Sequence, residues 1–170
     1  MSSEELFNQF DWRVTLDTAP LPDGREKKSV RVHRCDSVHI LPFVSEDKVL
    51  LIHEFRPFYQ EYIWMVPSGK ADKESDILTA AQRELREETG YQAAIMTPYG
   101  RVNLSDTITI TNHLFLARDL SHSPLPQDPD ELIRVESMTV QEAIEKVLNS
   151  PRVHTPSGFL LLKYAREKGL

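Results

Sequence analysis

Alternation of apolar and polar residues marks the start of the chain and predicts an antiparallel β-extension. Trp12, Val14 and Leu16 share one side of a predicted strand. The turn sequence PLPDG follows, and alternation resumes over residues 28–33, so the two stretches are expected to form a hairpin. Because such a hairpin is too small to fold alone, we expect it to pack against the rest of the domain or against a second subunit.

Further apolar stretches, each bounded by turn residues, predict the strands of a central sheet. They are residues 38–44, 49–55, 62–66, 92–97, 100–102, 108–117 and 132–136. The segment from Leu120 to Asp130 contains three prolines and is expected to be a loop. No apolar stretch reaches the length of a membrane span, so no membrane partner is expected.

Helical spacing of apolar residues first occurs over residues 76–89. Ser75 is the expected N-cap of this helix, with Asp76 in its first turn. Gly90 is expected to end the helix in the left-handed conformation.

Two more helices are predicted near the end of the chain. Thr139 and Glu142 have the spacing of a capping box. Thr155 is the expected cap of the last helix, because Pro156 follows it at the first turn, and this helix should end near Lys168.

The first helix carries three carboxylates on one face. Glu84, Glu87 and Glu88 lie at spacings of three and four residues, so their side chains can converge. Arg83 can offset part of their repulsion through Glu87, four residues on. Solvation of the acids or a bound hard cation would relieve the rest, and the pattern alone leaves both open.

Composition narrows the possible functions. The 170 residues suffice for one ordinary domain, and 40% of them are hydrophobic, as in globular proteins. The net charge of −6 argues against nucleic-acid binding, which needs a basic surface. Since Cys35 is the single cysteine, no internal disulfide can form. The N-terminus lacks the pattern of a secretory signal, so we expect a cytoplasmic protein.

The stretch GKADKESDILTAAQRELREETGY, residues 69–91, resembles the Nudix box. The matching positions are Gly69, Arg83, Glu84, Leu85, Glu87, Glu88 and Gly90. Two positions depart from the box: Ser75 stands where its first Glu belongs, with Glu74 one residue early, and Tyr91 replaces the final aliphatic residue. The missing Glu bears on the geometry of the loop and on turnover more than on metal binding.

Other segments are similar to the ADP-ribose pyrophosphatase branch of that family. They are LPDG at 21–24, HEFR at 53–56, VPSGK at 66–70 and DELIRV at 130–135. Met65 departs from the branch, which commonly has Glu there, and residues 100–111 lack its characteristic proline. The resemblance covers residues 10–165 and supports the branch more strongly than a specific substrate.

The resemblance implies an α+β fold: a Nudix α/β/α sandwich with a mixed central sheet over residues 37–170. Residues 1–36 would be an N-terminal antiparallel β-extension that serves as a dimerisation element, which makes the protein a homodimer. The implied activity is Mg²⁺-dependent hydrolysis of the pyrophosphate bond of a nucleoside diphosphate linked to another moiety, such as ADP-ribose or another nucleotide sugar. Mn²⁺ is a possible substitute.

The resemblance also implies site residues. Glu84 and Glu88 would be the principal Mg²⁺ ligands, with Glu87 as a third and the backbone carbonyl of Ser68 as a further ligand. Arg83 would orient the glutamates through a salt bridge.

A mobile loop near the last strands often supplies the base in this branch. Asp128, Asp130 and Glu131 occupy the corresponding place, and we select Glu131. Arg56, just after a core strand, would pair with a substrate phosphate, or else form an ordinary surface ion pair.

Aromatic residues near these segments are candidates for stacking on the base, or for core packing: Trp12, Phe58, Tyr59 and Trp64. Of these, Trp64 is our predicted substrate-binding residue. A different functional class stays open, because Ser75 replaces a box glutamate: a non-catalytic Nudix domain that binds a nucleotide as a sensor or interaction module. The complete Arg-Glu-x-x-Glu-Glu core favours the enzyme.

Overall fold

The computed structural model describes residues 1–73 and 76–170. Its strands are β1 (Ser2–Gln9), β2 (Trp12–Pro20), β3 (Glu26–His33), β4 (Ser37–Pro42), β5 (Lys48–Arg56), β6 (Glu61–Met65), β7 (Ser68–Lys70), β8 (Tyr91–Val102), β9 (Ile108–Thr109), β10 (Asn112–His122) and β11 (Ile133–Thr139). Its helices are α1 (Ile77–Thr89), α2 (Val140–Leu148) and α3 (Thr155–Lys168). Within these described ranges, no helix is both long and apolar enough to cross a bilayer.

A mixed four-stranded sheet lies between two helical layers. Its order is β7-β4-β10-β8, with β4 and β10 parallel and the outer pairs antiparallel. Successive residues of β4 face opposite sides, since Ile40 packs with Leu85 of α1 while Leu41 packs with residues of α2 and α3. This arrangement confirms the predicted α+β class with a mixed sheet.

A second, antiparallel sheet has the order β11-β5-β6. Its central strand β5 contributes Val49 and Leu51 to the core shared with α2 and α3. The far end of β5, from residue 53 to 56, leaves this core and is only partly apolar. Two ionisable side chains at that end, Glu54 and Arg56, line the cleft described below.

The N-terminal extension is larger than the predicted hairpin. Strand β1, which lacks apolar alternation and has only exposed residues, pairs with β2 so that Ser2 lies opposite Thr18. The third sheet, β1-β2-β3-β9, reaches the rest of the chain through β9, where Val32 lies opposite Ile108. The extension thus packs against its own chain, while its role in dimerisation stays a prediction.

Strands β8 and β10 correct the predicted boundaries. The two stretches predicted as separate strands, 92–97 and 100–102, form the single strand β8. The ladder shifts register at Gly100, whose φ of 149° falls in a region that favours glycine. Strand β10 extends to His122, opposite Tyr91, so the predicted loop begins three residues after Leu120. Pairing along all of β8 holds these residues in the sheet.

Helix α1 begins beside the part of the chain left undescribed. Its N-cap is Asp76, whose side chain accepts a hydrogen bond from the Thr79 amide. The predicted cap Ser75, and Glu74 before it, lie outside the described residues. At the other end Gly90 takes the expected left-handed conformation, with φ of 79°.

The other two helices differ in how well their caps were predicted. Thr139 and Glu142 form both bonds of the capping box, as expected. Helix α3 contradicts the expectation, because its N-cap is His154 and Thr155 is already helical. The His154 side chain makes no capping hydrogen bond to the backbone, and its Nδ1 lies 2.7 Å from Ser157 Oγ instead.

Candidate active site

A cleft of about 1240 Å³ receives side chains from β5, β7, α1, the loop before β11 and the start of α3. Typical small-molecule pockets span about 300–1,000 Å³, so this cleft can take an extended ligand. Seven of the eight predicted site residues line it: Arg56, Ser68, Arg83, Glu84, Glu87, Glu88 and Glu131. The structure therefore brings together groups that lie up to 75 positions apart in the sequence.

Helix α1 presents its acids to the cleft. Glu84 and Glu88 are one turn apart and 8% and 5% exposed. The guanidinium of Arg83 lies 2.8 Å from Glu84 Oε1 and 2.5 Å from Glu87 Oε2. It also donates to the carbonyl of Lys70 at 3.0 Å. Arg83 thus ties two of the acids to the backbone of β7.

Strand β7 lies directly against these carboxylates. The Ser68 amide donates to Glu88 Oε2 at 2.7 Å. A Cβ atom on Gly69 would lie 2.1 Å from the carboxyl carbon of Glu84, so any side chain there would push the carboxylate out of this position. Since the contact of Glu84 requires a residue without a side chain at position 69, the strand and the helix form one unit of the site.

Burial sets the protonation of the two inner acids. Desolvation raises the pKa of Glu84 to about 7, although the Arg83 guanidinium partly opposes the rise. Desolvation, and then the negative charge of Glu84, raise the pKa of Glu88 well above its usual range. The Ser68 amide opposes this only in part. A positive charge placed between these acids would favour their ionised forms.

Glu54 is an additional acid that our sequence analysis did not assign. It lies on β5, is 5% exposed and lines the cleft. Desolvation raises its pKa to about 7, against the charge of Arg56. The sequence does indicate this position. Residues 50, 52 and 54 share one face of a strand, and because Leu50 and Ile52 are apolar, that face is expected to be buried.

Arg56 ends strand β5 and extends into the cleft. Its guanidinium lies 2.9 Å from Glu54 Oε2 and donates to the Met65 sulfur at 3.1 Å. With its side chain 36% exposed, Arg56 remains accessible to a ligand. The side chain is thus held at its inner edge and open at its outer edge.

Glu131 lies in the loop before β11. The Glu131 amide donates to the Asp128 carbonyl at 3.1 Å, and Asp130 donates through its amide to the Asp128 carboxylate. Desolvation, and then the charge of Asp128, raise the pKa of Glu131. All three acids line the cleft, so this turn brings Glu131 near the helix.

The structure does not bring Trp64, predicted to bind substrate, to this cleft. Its ring stacks on His53 with centroids 4.2 Å apart and also contacts the Lys146 ammonium. Its packing against the core of α2 and α3 explains its position. Trp12, Phe58 and Tyr59 do line the cleft, so three of the four aromatic candidates remain near the site.

Two histidines, His39 and His154, form a neutral wall of the cleft, and no sequence spacing relates them. Their rings lie 5.4 Å apart. Desolvation lowers the pKa of His39 to about 4 and that of His154 to about 3. Ser37 and Asn112 bind the His39 ring. This wall is polar but uncharged at neutral pH, unlike the acidic face of α1.

The family model described as the NUDIX domain matches residues 33–157. The chain belongs to the Nudix family. Its match covers most of the chain, including β4 to β11 and the acids of α1. The predicted family, and with it the predicted class of Nudix pyrophosphatase, are confirmed.

Relatives of this Nudix chain extend over its whole length. An ADP-ribose pyrophosphatase from Bacillus subtilis (strain 168) is 28% identical over 99% of this chain and 92% of its own. A methanol dehydrogenase activator from Bacillus methanolicus is 25% identical over 96% of this chain and 90% of its own. The first of these relatives supports the ADP-ribose pyrophosphatase-like branch.

A solved structure shows the same fold. It is titled as the crystal structure of an ADP compounds hydrolase, has a TM-score of 0.79 and is 21% identical, and the match covers 99% of this chain and 94% of that one. At this identity the likeness concerns the fold alone. It confirms the predicted Nudix sandwich.

Nudix hydrolases generally use a divalent metal, and the donor set here fits one. In the described part of the chain, no three His, Cys, Asp or Glu side chains are already arranged to hold a metal ion. Arg83 occupies one oxygen of Glu84 and one of Glu87, and the Ser68 amide binds one of Glu88. Each carboxylate keeps a second oxygen, the ligand type that hard cations take.

Proposed function

We propose that this Nudix chain hydrolyses the pyrophosphate bond of a nucleoside diphosphate linked to another moiety, ADP-ribose or another nucleotide sugar. Mg²⁺ is the proposed cofactor, with Mn²⁺ as a substitute. The name of the Bacillus subtilis relative, ADP-ribose pyrophosphatase, supports this substrate class. The size of the cleft accommodates a ligand of two linked parts.

One observation carries the proposal: two desolvated carboxylates, Glu84 and Glu88, lie together at the cleft. Burying such a pair without a cation is costly, because both carboxylates lose their hydration and the charge of Glu84 further raises the pKa of Glu88. For stability alone, apolar side chains would serve better at these positions. Their presence supports a cation-binding role.

The chain's own residues would act as follows. Glu84 and Glu88 would hold the cation, with Glu87 as a third ligand and the Ser68 carbonyl as a further one. Arg83 would keep Glu84 and Glu87 in place through its two ion pairs. The bound cation would neutralise charge on phosphate oxygens and lower the pKa of an attacking water.

Substrate would meet the opposite side of the cleft. Arg56 would donate to a phosphate through its exposed edge, because guanidinium groups match phosphate oxygens well. Glu131 would take a proton from the attacking water, and the desolvation that raises its pKa makes its carboxylate a stronger base. Trp12, at the rim, would stack on the base.

The protein is further proposed to act as a cytoplasmic homodimer that pairs through residues 1–36. Exposed apolar side chains on this extension support the dimer: Leu6 is 51% exposed, Phe7 43% and Phe10 97%.

A second candidate function is a nucleotide-binding module that acts on a protein partner. The relative named as a methanol dehydrogenase activator favours it.

One experiment separates the two. The protein is incubated with Mg²⁺ or Mn²⁺ and a panel of nucleotide sugars, dinucleotides and triphosphates, and products are quantified by chromatography. From ADP-ribose or a related nucleotide sugar we expect two products, a nucleoside monophosphate and a sugar phosphate. Neither should form in the presence of excess chelator. Binding by calorimetry without turnover of any compound would refute the enzyme and support the module.

A further inference from the structure

Glu54 is a carboxylate at a buried position of the sheet, where an apolar residue is expected. It lies on the central strand β5, opposite Ile63 of β6 and Ile133 of β11. The residue is 5% exposed, and desolvation raises its pKa to about 7 despite a neighbouring guanidinium. A buried acid of this kind does not stabilise a sheet, because an apolar residue of similar volume would cost less free energy.

The partner of Glu54 is Arg56, on the same face of the strand two residues later. The ion pair measures 2.9 Å from Glu54 Oε2 to an Arg56 guanidinium nitrogen. That nitrogen also lies 3.1 Å from the sulfur of Met65 on the neighbouring strand. A thioether is a weak acceptor, so the Glu54 carboxylate is the stronger of these two contacts. It fixes the inner edge of the guanidinium.

Other acids near this pair make that contact consequential. The charge of Glu54 contributes to the raised pKa of Glu88, and the charge of Glu131 contributes to that of Glu54. An arginine without a partner of its own would be attracted towards these acids, which are needed elsewhere in the site. With Glu54 beside it, Arg56 has a partner of its own, lines the cleft and keeps its side chain 36% exposed.

We propose that Glu54 is a positioning residue: it holds the Arg56 guanidinium in the orientation that receives a phosphate of the nucleoside diphosphate. This role rests on the proposed pyrophosphatase function. Glu54 lies outside the Nudix box and contacts Arg56 directly, whereas it influences the proposed cation ligand Glu88 only through its charge. It therefore governs substrate affinity more than the rate of the bound complex.

A double-mutant cycle tests the role. The variants are Glu54→Gln, Arg56→Ala and the pair together, with Glu136→Gln on β11 as the matched control, since Glu136 is exposed and does not line the cleft. Affinity for α,β-methylene-ADP, a non-cleavable nucleoside diphosphate, is measured by calorimetry with Mg²⁺. KM, kcat and the half-saturating Mg²⁺ concentration are measured with ADP-ribose, and thermal unfolding monitors the fold.

We expect Glu54→Gln to weaken analogue binding and raise KM about tenfold, while kcat changes less than about threefold. The double variant should bind no more weakly than Arg56→Ala alone, because the two residues act as one unit. Glu136→Gln should match the wild type. Additive losses, an unchanged KM in Glu54→Gln, or a raised half-saturating Mg²⁺ concentration at unchanged KM would each overturn the role.

Failure of the proposed pyrophosphatase function can be distinguished from failure of the proposed role of Glu54. If the wild type binds the analogue but cleaves no substrate, the pyrophosphatase function is refuted, while the binding cycle still tests the pairing of Glu54 with Arg56. Glutamine removes a buried charge and keeps the shape of the side chain, so the variant is expected to fold.

Discussion

The backbone of Gly69 touches the carboxyl group of Glu84 so closely that a Cβ atom would lie 2.1 Å from the carboxyl carbon. Strand β7 therefore forms the wall against which the acid is held, and Arg83 closes the arrangement by donating to the carbonyl of Lys70. Glycine at this position is required by close approach, since the structure shows no left-handed backbone there. The matching glycine of the box thus has a local physical reason.

Gly69→Ala should displace the carboxylate of Glu84 and destabilise the protein slightly. Because the displaced atoms are the far end of a flexible side chain, the cost should be about 1 kcal/mol, the low end for overpacking, which urea unfolding will measure. Turnover should fall at least about tenfold, since the displaced carboxylate is a proposed ligand. The control is Gly158→Ala in α3, where a Cβ would meet Leu148 Cδ2 at an ordinary 3.6 Å. Equal effects of the two substitutions would contradict the role of the contact.

Without divalent cation, the protein should lose stability as the pH rises from 6.5 to 8. Glu84 and Glu54 have folded-state pKa values near 7, above the unfolded value of 4.5, so the folded state holds protons that it must release over this window. Each contributes a loss on the order of 1 kcal/mol. His39 and His154 oppose this trend in part: both are already neutral in the folded state, whereas in the unfolded state, with a pKa of 6.5, they still release protons between pH 6.5 and 7.5. Each offsets a few tenths of a kcal/mol, roughly half the loss from one acid, so the net slope stays negative.

Chemical unfolding in chelator, repeated at half-unit pH steps, measures this slope. Glu84→Gln should make the slope shallower, because glutamine does not titrate. Adding Mg²⁺ should raise stability most at pH 8, where the acids are ionised and can bind it. A slope of the opposite sign between pH 6.5 and 8 would show that the acids are not desolvated as described.

Glu88→Gln should strongly lower activity while leaving the fold intact. The glutamine oxygen can still accept the Ser68 amide, so the contact between β7 and α1 persists. One anionic oxygen ligand is lost, and kcat should fall by roughly 10²–10³-fold, the scale of a lost electrostatic contact. The rise in unfolding temperature that Mg²⁺ gives the wild type should shrink as well. Glu145→Gln, on the exposed face of α2, is the control. A near-normal rate in Glu88→Gln would place the cation elsewhere.

The sequence predicted best those features that local spacing determines. Helix α1, its acids and Gly90 follow from contiguous residues, and the box locates them together. Boundaries that depend on pairing were less predictable: β1 has no apolar alternation and exists because β2 offers a partner, and β10 runs on to His122 because β8 does. Such strands are determined by the neighbouring strand and not by their own pattern.

Side-chain positions in the site also divide into those that local sequence predicts and those that depend on distant parts of the chain. Trp64 and Trp12 look alike in the sequence, yet the fold places one against the core and the other at the cleft. Glu54 could have been found, because an acid on the buried side of an apolar strand is unusual. The pairing of His39 with His154 could not, since it joins strand β4 to the start of α3 across 115 positions.

The proposed dimer gives the final prediction, through Phe10 at the turn between β1 and β2. Its side chain is 97% exposed and its φ is 57°, a left-handed conformation that disfavours a bulky residue. Phe10→Asn should preserve the turn, because asparagine tolerates this conformation, while removing apolar area from the proposed interface. We expect sedimentation velocity at micromolar concentration to show a wild-type dimer and a dissociation constant raised at least about tenfold in the variant. Leu162→Gln, an exposed apolar position on α3, should leave the dimer unchanged. A wild-type monomer at that concentration would refute the role of the extension.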